Sequence, residues 1–152
     1  MDRVVSVDRR ETWGMAHRIL YVEDNFQNKR LVRKILSARG FEVLEADDGL
    51  TAVEIASKEH PDLILMDISL PGIDGVEATQ RIKAYTGTAR IPVIALTANA
   101  MRGDRERFIA AGCDDYLPKP ISTSDLMAMI EKYLAKPLGP EARPGGAAGL
   151  GR

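Results

Sequence analysis

Acidic, hydroxyl and amine side chains follow the short apolar runs of this sequence, at the point where each run ends. Glu23 and Asp24 follow the first run, and Asp67 follows the third. Thr97 and Lys119 stand at the corresponding places after the two later runs. A carboxylate that ends a buried run is hard to explain by packing, because a buried charge needs a partner. These side chains are therefore the candidates for chemistry.

Their chemical types point to a divalent cation and a phosphoryl group. Close carboxylates repel one another, so at neutral pH they either retain protons or bind a cation. Oxygen ligands without a nearby thiol or second histidine favour Mg²⁺ over zinc. With the cation in place, one carboxylate can attack a phosphoryl group and form an acyl phosphate. Lys119 can then hold a phosphoryl oxygen as a point charge, and Thr97 can donate a hydrogen bond to another.

The elements that must position these residues alternate regularly along the chain. We expect strands at Arg18–Val22, Phe41–Glu45, Leu63–Met66, Pro92–Leu96 and Asp114–Leu117, and helices at about Asn25–Arg39, Asp48–Lys58, Gly75–Tyr85, Met101–Ala111 and Ser122–Leu134. Continuous apolar runs are typical of parallel strands that are buried on both faces. The alternation predicts an α/β fold, a flavodoxin-like (βα)5 three-layer sandwich whose five-stranded parallel sheet has the order 2-1-3-4-5. Ligands of such sheets bind outside the carboxyl ends of the strands, which is where the candidate residues fall.

The first helix has a clear apolar pattern and a clear end. Gly40 stands where a helix C-cap belongs, and Asp48 is expected to cap the second helix. The apolar residues of the first helix recur at helical spacing and are predicted to lie on one side: Leu31, Val32, Ile35 and Leu36.

With these motifs assembled, the sequence resembles the response-regulator receiver family from Arg18 to Leu134. The resemblance is to single-domain regulators and to the receivers of hybrid kinases. Each motif is similar to the family's pattern, and their order along the chain makes the match specific: Val22–Asn25, Met66–Gly75, Ala95–Ala100 and Asp115–Pro120.

The resemblance implies a metal-assisted phosphoacceptor site. Asp67 would be the phosphoacceptor, and Asp24 and Asp67 would be direct ligands of Mg²⁺. Glu23 would bind the metal directly or through water, and the backbone carbonyl of Ser69 would complete the protein ligands.

The resemblance also implies a switch beside that site. Thr97 would be the switch hydroxyl, Tyr116 the aromatic residue that changes rotamer, and Lys119 the partner of the phosphoryl group. The bond between Lys119 and Pro120 is expected to be cis, a geometry that proline makes accessible.

The expected function is that of a phosphoacceptor response regulator in a two-component phosphorelay. Asp67 would accept a phosphoryl group from a histidine kinase or a histidine phosphotransfer protein. The chain would not be a classical enzyme but a signalling receiver that promotes its own phosphorylation and dephosphorylation. Its output would be protein–protein contact with a downstream target through the face formed by residues 101–134, a phosphorylation-dependent dimer, or onward phosphotransfer.

Two other classes of function compete with this interpretation. A hydrolase or phosphatase of similar layout would need a substrate pocket and a second acid–base residue, and the sequence offers neither. A pseudo-receiver that only binds partners is the other class, but the complete set of site residues counts against it. Phosphorylation by a small donor, measured together with turnover, separates the three.

Composition limits the location and the partners. Of the 152 residues, 45% are hydrophobic and 28% charged, and the formal net charge is −1. This balance gives no expectation of direct nucleic-acid binding. The apolar runs are too short to cross a bilayer, so no membrane insertion is expected. The single cysteine, Cys113, cannot form an internal disulfide, which favours a reducing compartment and a cytoplasmic location.

The two ends differ in composition from the middle. Residues 1–16 have no sustained apolar period and are expected to be a flexible N-terminal extension. Residues 17–135 are expected to form the receiver domain. Residues 136–152 are rich in Gly, Pro and Ala and are expected to be a flexible tail, because such a segment buries little surface to offset its ordering entropy. We therefore expect no fused output domain.

Overall fold

The structure, a computed structural model, describes residues 17–98 and 104–134. The predicted extension at 1–16, the last receiver residue at 135 and the predicted tail at 136–152 lie outside the described residues. The predicted start of the fourth helix at Met101 also lies outside them. No helix within the described ranges is both long enough and apolar enough to span a membrane.

Five strands and five helices alternate along the described chain. The strands are β1 (Arg18–Val22), β2 (Glu42–Ala46), β3 (Leu63–Asp67), β4 (Val93–Thr97) and β5 (Asp115–Pro118). The helices are α1 (Phe26–Ala38), α2 (Gly49–Glu59), α3 (Gly75–Ala84), α4 (Asp104–Ala111) and α5 (Thr123–Leu134). All neighbouring strands pair in parallel, in the order β2-β1-β3-β4-β5. The predicted α/β fold and strand order are confirmed.

Helices cover both faces of the sheet and give it two separate cores. On one face α2, α3 and α4 contribute Ala52, Ile82 and Phe108 among their buried residues. On the other face α1 and α5 pack through residues such as Leu36 and Ile130. Because both faces are covered, β1, β3 and β4 are buried almost throughout. This burial explains the continuous apolar runs and confirms the three-layer arrangement.

Side-chain caps begin the helices close to the predicted positions. The Asn28 N–H donates to Asn25 Oδ1 at 2.9 Å, and the Thr51 N–H donates to Asp48 Oδ1 at 2.7 Å. At the end of α1 the C-cap is Arg39 rather than Gly40. Gly40 follows with φ of 90°, a left-handed conformation that glycine adopts without steric cost.

The predicted apolar side of α1 is wrong at one position. Val32 and Leu36 are buried and Ile35 is partly buried, but Leu31 is 57% exposed. Consecutive helical residues point about 100° apart, so the arc centred on Val32 and Leu36 turns Leu31 away from the core.

Candidate functional site

Three carboxylates meet at the carboxyl edge of the sheet. Glu23 and Asp24 directly follow β1, and Asp67 is the last residue of the adjacent strand β3. One oxygen from each of the three lies within 4.8 Å of the others. Glu23 is 1% exposed and Asp67 3% exposed, whereas Asp24 is open to solvent. An all-oxygen set with one exposed member suits a hard divalent cation that keeps some of its water.

Lys119 reaches into this cluster from the loop after β5. Its Nζ lies 3.0 Å from Glu23 Oε1 and 3.2 Å from Asp67 Oδ2. The backbone holds the lysine in place, because its N–H donates to the carbonyl oxygen of Thr97 at 2.8 Å. The Lys119–Pro120 bond is cis, as the family resemblance implied.

The charges in the cluster do not balance without a further cation. Burial, followed by the charge of Glu23, raises the pKa of Asp67 to about 6, although Lys119 and the Ser69 N–H oppose this rise. Burial lowers the pKa of Lys119, but its hydrogen bond to Glu23 and the charge of Asp67 outweigh that effect and the net shift is upward. The ammonium therefore stays charged and is shared by two buried carboxylates. The three carboxylates thus carry more negative charge than the one ammonium can neutralise, and a divalent cation bound to them would balance this charge.

The loop between β3 and α3 is folded tightly against Asp67. The Ser69 N–H donates to Asp67 Oδ1 at 3.2 Å, and the Gly75 N–H donates to the Ile68 carbonyl oxygen at 2.9 Å. A Cβ atom on Gly75 would lie 2.3 Å from the Asp67 carbonyl oxygen. Only glycine permits this close approach of the start of α3 to the end of β3. The sequence pattern alone did not mark Gly75 as part of the site.

The two predicted switch residues lie at different depths along the sheet. Thr97 is the buried last residue of β4 and stands opposite Pro118 of β5, at the same edge as Asp67. Tyr116 stands opposite Ala95, further from that edge, and is partly buried. Its ring centroid lies 6.2 Å from that of Phe108. The structure thus brings Thr97 to the site and Tyr116 next to α4, and their switch roles stay predictions.

A buried tyrosine that the sequence analysis had treated only as part of a strand also belongs to the site. Tyr21 Oη donates to Glu23 Oε1 at 3.2 Å. Burial and the charge of Glu23 raise the pKa of Tyr21 well above its usual range, so the hydroxyl stays protonated. A tyrosine in an otherwise aliphatic buried strand was the signal that would have revealed it, since a buried hydroxyl needs a partner.

An apolar groove with a volume of about 370 Å³ opens beside the carboxylates, between α1 and the loop after β5. Leu31, which was predicted to face the core but is exposed, forms part of its wall. The lining residues are Tyr21, Asn28, Leu31, Val32, Ile35, Ala98, Lys119, Pro120 and Ile121. Because Lys119 belongs to both, the groove is continuous with the carboxylate cluster.

Comparison with known proteins identifies the family. Residues 19–131 match the model of the response regulator receiver domain. The polar-differentiation response regulator DivK of Brucella ovis is 44% identical over 120 residues, which cover 79% of this chain and 98% of DivK.

Solved structures agree in fold and in sequence. The receiver domain of the sensor histidine kinase PA1611 from Pseudomonas aeruginosa, solved with a magnesium ion in its active-site cleft, superposes with a TM-score of 0.73 at 42% identity and covers 77% of this chain and 96% of that one. A chain in the co-crystal of the Saccharomyces cerevisiae histidine phosphotransfer protein Ypd1 with the Ssk1 receiver gives a TM-score of 0.71 at 29% identity, covering 77% and 88%.

The chain therefore belongs to the response regulator receiver domain family. It is a phosphoacceptor response regulator of two-component signalling, and such receivers are signalling domains rather than classical enzymes.

Proposed function

We propose that Asp67 is the phosphoacceptor and that Lys119 neutralises the incoming phosphoryl group. The observation that carries this proposal is the buried Asp67 carboxylate at the end of β3, 3.2 Å from the Lys119 ammonium. An oxygen of Asp67 attacks phosphorus, the bond between phosphorus and the donor atom breaks, and the electron pair of that bond leaves with the donor. Such transfer depends mainly on positioning and charge neutralisation, and Lys119 supplies both from a fixed loop.

We further propose that Asp24, Asp67, Glu23 and the Ser69 backbone carbonyl hold Mg²⁺. When bound, the cation neutralises negative charge on the carboxylates and on the phosphoryl oxygens. The magnesium ion in the cleft of the PA1611 receiver supports the choice of metal. The exposed Asp24 keeps the cluster open to solvent, while hydrogen bonds from Tyr21 and from the Ser69 N–H hold Glu23 and Asp67.

The same residues would let the receiver promote its own phosphorylation and dephosphorylation. Incubation with acetyl phosphate and Mg²⁺ should therefore give one phosphoryl adduct by intact mass, and the adduct should decay once the donor is removed. Asp67→Asn, whose amide is nearly isosteric but not nucleophilic, should give none. Turnover of unrelated phosphate esters, or no adduct in the wild type, would contradict this function.

We propose that the groove beside α1 receives a helix of the phosphodonor, a histidine kinase or a histidine phosphotransfer protein. The groove has apolar walls and opens next to Asp67, so a donor helix seated there would present its phosphohistidine to the carboxylate. Leu31 offers that helix an apolar contact, because its side chain is 57% exposed and lines the groove. The complex of Ypd1 with a similar receiver supports this class of partner.

Leu31→Asp separates docking from chemistry. It should slow phosphotransfer from a phosphorylated histidine phosphotransfer protein at least tenfold, because it places a charge in an apolar contact. Phosphorylation by acetyl phosphate should be unchanged, since no site residue is altered. Leu50→Asp is the matched control, because Leu50 is 56% exposed on α2 and does not line the groove. Equal transfer rates for both variants would refute the docking site.

We propose that the output is carried by Thr97 and Tyr116 to the face of residues 101–134, which includes α4, β5 and α5. The phosphoryl group would draw Thr97 towards it, and Tyr116 would occupy the space that Thr97 vacates. That face would then bind a downstream protein or a second phosphorylated copy, or the phosphoryl group would pass onward. We place this signalling in the cytoplasm, and the single buried thiol of Cys113 is consistent with a reducing compartment.

A further inference from the structure

The Glu23 carboxylate is held by three donors of different kinds. Lys119 Nζ and Tyr21 Oη donate to Oε1 at 3.0 and 3.2 Å, and the backbone N–H of Asn25 donates to Oε2 at 3.1 Å. Lys119 is shared with Asp67, and the Asn25 donor belongs to the backbone that begins α1. The hydroxyl of Tyr21 is thus a side-chain group of the cluster to which the proposed reaction assigns no role.

Packing alone does not account for this hydroxyl. Tyr21 is completely buried in β1, where its ring fills the core beneath α1 and α5. A phenylalanine would fill nearly the same space, and burying a hydroxyl costs free energy unless it forms a hydrogen bond. A carboxylate oxygen accepts hydrogen bonds, so the hydroxyl is the donor in its 3.2 Å contact with Glu23 Oε1. Its one donor is directed at one oxygen of Glu23.

The number of acceptor positions on Glu23 shows what this bond achieves. A carboxylate oxygen accepts about two hydrogen bonds. Tyr21 and Lys119 therefore fill Oε1, while Oε2 keeps one position beyond the bond from Asn25. With both positions of Oε1 occupied, Oε2 is the oxygen that can still bind a cation or a water molecule held by one.

We propose that Tyr21 is a positioning residue for the phosphorylation site, and that its hydroxyl orients Glu23 for the divalent cation. This inference rests on the proposed function of the same site. Groups that orient metal ligands from outside typically contribute about tenfold to a hundredfold to metal affinity. Because Lys119 and Asn25 remain as donors, we expect Tyr21→Phe to fall at the lower end of that range.

The test is the Mg²⁺ dissociation constant measured by calorimetry on the full chain. Tyr21→Phe should bind Mg²⁺ about tenfold more weakly than the wild type, yet reach the wild-type yield of Asp67 adduct at saturating Mg²⁺. Tyr133→Phe is the matched control, because its hydroxyl lies 2.9 Å from the Asp114 carbonyl oxygen at the amino end of β5. Its Mg²⁺ affinity should equal that of the wild type.

A double-mutant cycle tests whether Tyr21 acts through Glu23. In a Glu23→Gln background, Tyr21→Phe should cause no further loss of Mg²⁺ affinity, whereas an independent structural effect would persist. A second readout needs no variant. The ¹³Cζ resonance of Tyr21 in the wild type should shift on Mg²⁺ titration with the calorimetric midpoint, while that of Tyr133 stays fixed.

The two hypotheses fail in different ways. A wild-type chain that forms no adduct on Asp67 overturns the proposed function. A phosphorylated wild type combined with wild-type Mg²⁺ affinity in Tyr21→Phe overturns the positioning role alone. If Tyr21→Phe does not fold, the ¹³Cζ resonance of Tyr21 in the wild type decides the question. A resonance that does not shift on Mg²⁺ titration overturns the positioning role, and one that shifts with the calorimetric midpoint supports it.

Discussion

Replacing Gly75 with alanine places a methyl group against the backbone of the residue that we propose to be phosphorylated. The new Cβ would lie 2.3 Å from the Asp67 carbonyl oxygen and 2.8 Å from the Ile68 Cα. Unstrained contacts between heavy atoms begin at roughly 3.5 Å, so the end of β3 and the start of α3 must separate by about 1 Å. Both are backbone contacts, and no side chain can rotate away to relieve them.

The magnitudes follow from that displacement. Overpacking of this kind costs about 1–3 kcal/mol of folding free energy. A shift of about 1 Å in a reacting group can slow a reaction by about 100-fold. We therefore expect Gly75→Ala to lower the melting temperature by several degrees and to slow adduct formation from acetyl phosphate by about two orders of magnitude at saturating Mg²⁺.

Gly72→Ala is the control that separates stability from chemistry. Gly72 has φ of 74°, and an added Cβ there meets no atom within 4 Å. A left-handed alanine costs about 1–2 kcal/mol, which is comparable to the loss expected for Gly75→Ala, but it does not press on Asp67. Gly72→Ala should therefore react far faster than Gly75→Ala at a similar melting temperature. Wild-type reactivity in Gly75→Ala, or equal slowing in both variants, would refute the reasoning.

The switch, the two chain ends and the ionisation of Asp67 each give a further prediction. Thr97→Ala should accept a phosphoryl group but respond more weakly to beryllofluoride, a mimic of the acyl phosphate. The amide shifts that beryllofluoride causes at Tyr116 and along α5 should therefore be smaller than in the wild type. Equal shifts in both proteins would contradict the coupling of Thr97 to Tyr116. Deleting residues 1–14 and 136–152 should leave the phosphorylation rate unchanged, because neither segment supplies a proposed site residue, and a large fall in melting temperature would show that one of them docks. In metal-free buffer the pKa of Asp67 is raised to about 6 in the folded protein, above its value in the unfolded chain. Ionisation of Asp67 should therefore lower the free energy of unfolding by at most about 3 kcal/mol as the pH rises from about 4 to 6. Asp67→Asn should lack that loss in chemical denaturation, and parallel pH profiles would contradict the desolvation argument.

The sheet was predictable because each strand is marked by the composition of a short segment of the sequence. The apolar run Leu63–Met66 has the length and composition of a strand covered on both faces, and Asp67 ends it with a charge that packing does not explain. Crossover handedness then leaves few strand orders. The convergence of Asp67 with Glu23 and Lys119 follows from parallel strands ending at one edge.

The remaining features depend on packing that sequence patterns do not encode. Helical spacing placed Leu31 with the apolar residues of α1, but the direction in which the helix rests on the sheet decides which of them is buried. The hydrogen bond from Tyr21 to Glu23 depends on the distance between two side chains at the end of β1, which their spacing in the sequence does not give. The contact of Gly75 with Asp67 requires the three-dimensional path of a loop.

The most direct test of the proposed chemistry is to locate the phosphoryl group. After incubation with acetyl phosphate and Mg²⁺, borohydride reduces an aspartyl phosphate to homoserine, and peptide mass mapping then identifies the residue. We predict homoserine at position 67 alone, and none when Mg²⁺ is chelated before the donor is added. Reduction at Glu23 or Asp24, or an adduct whose yield does not depend on Mg²⁺, would contradict the assignment of Asp67 as the phosphoacceptor.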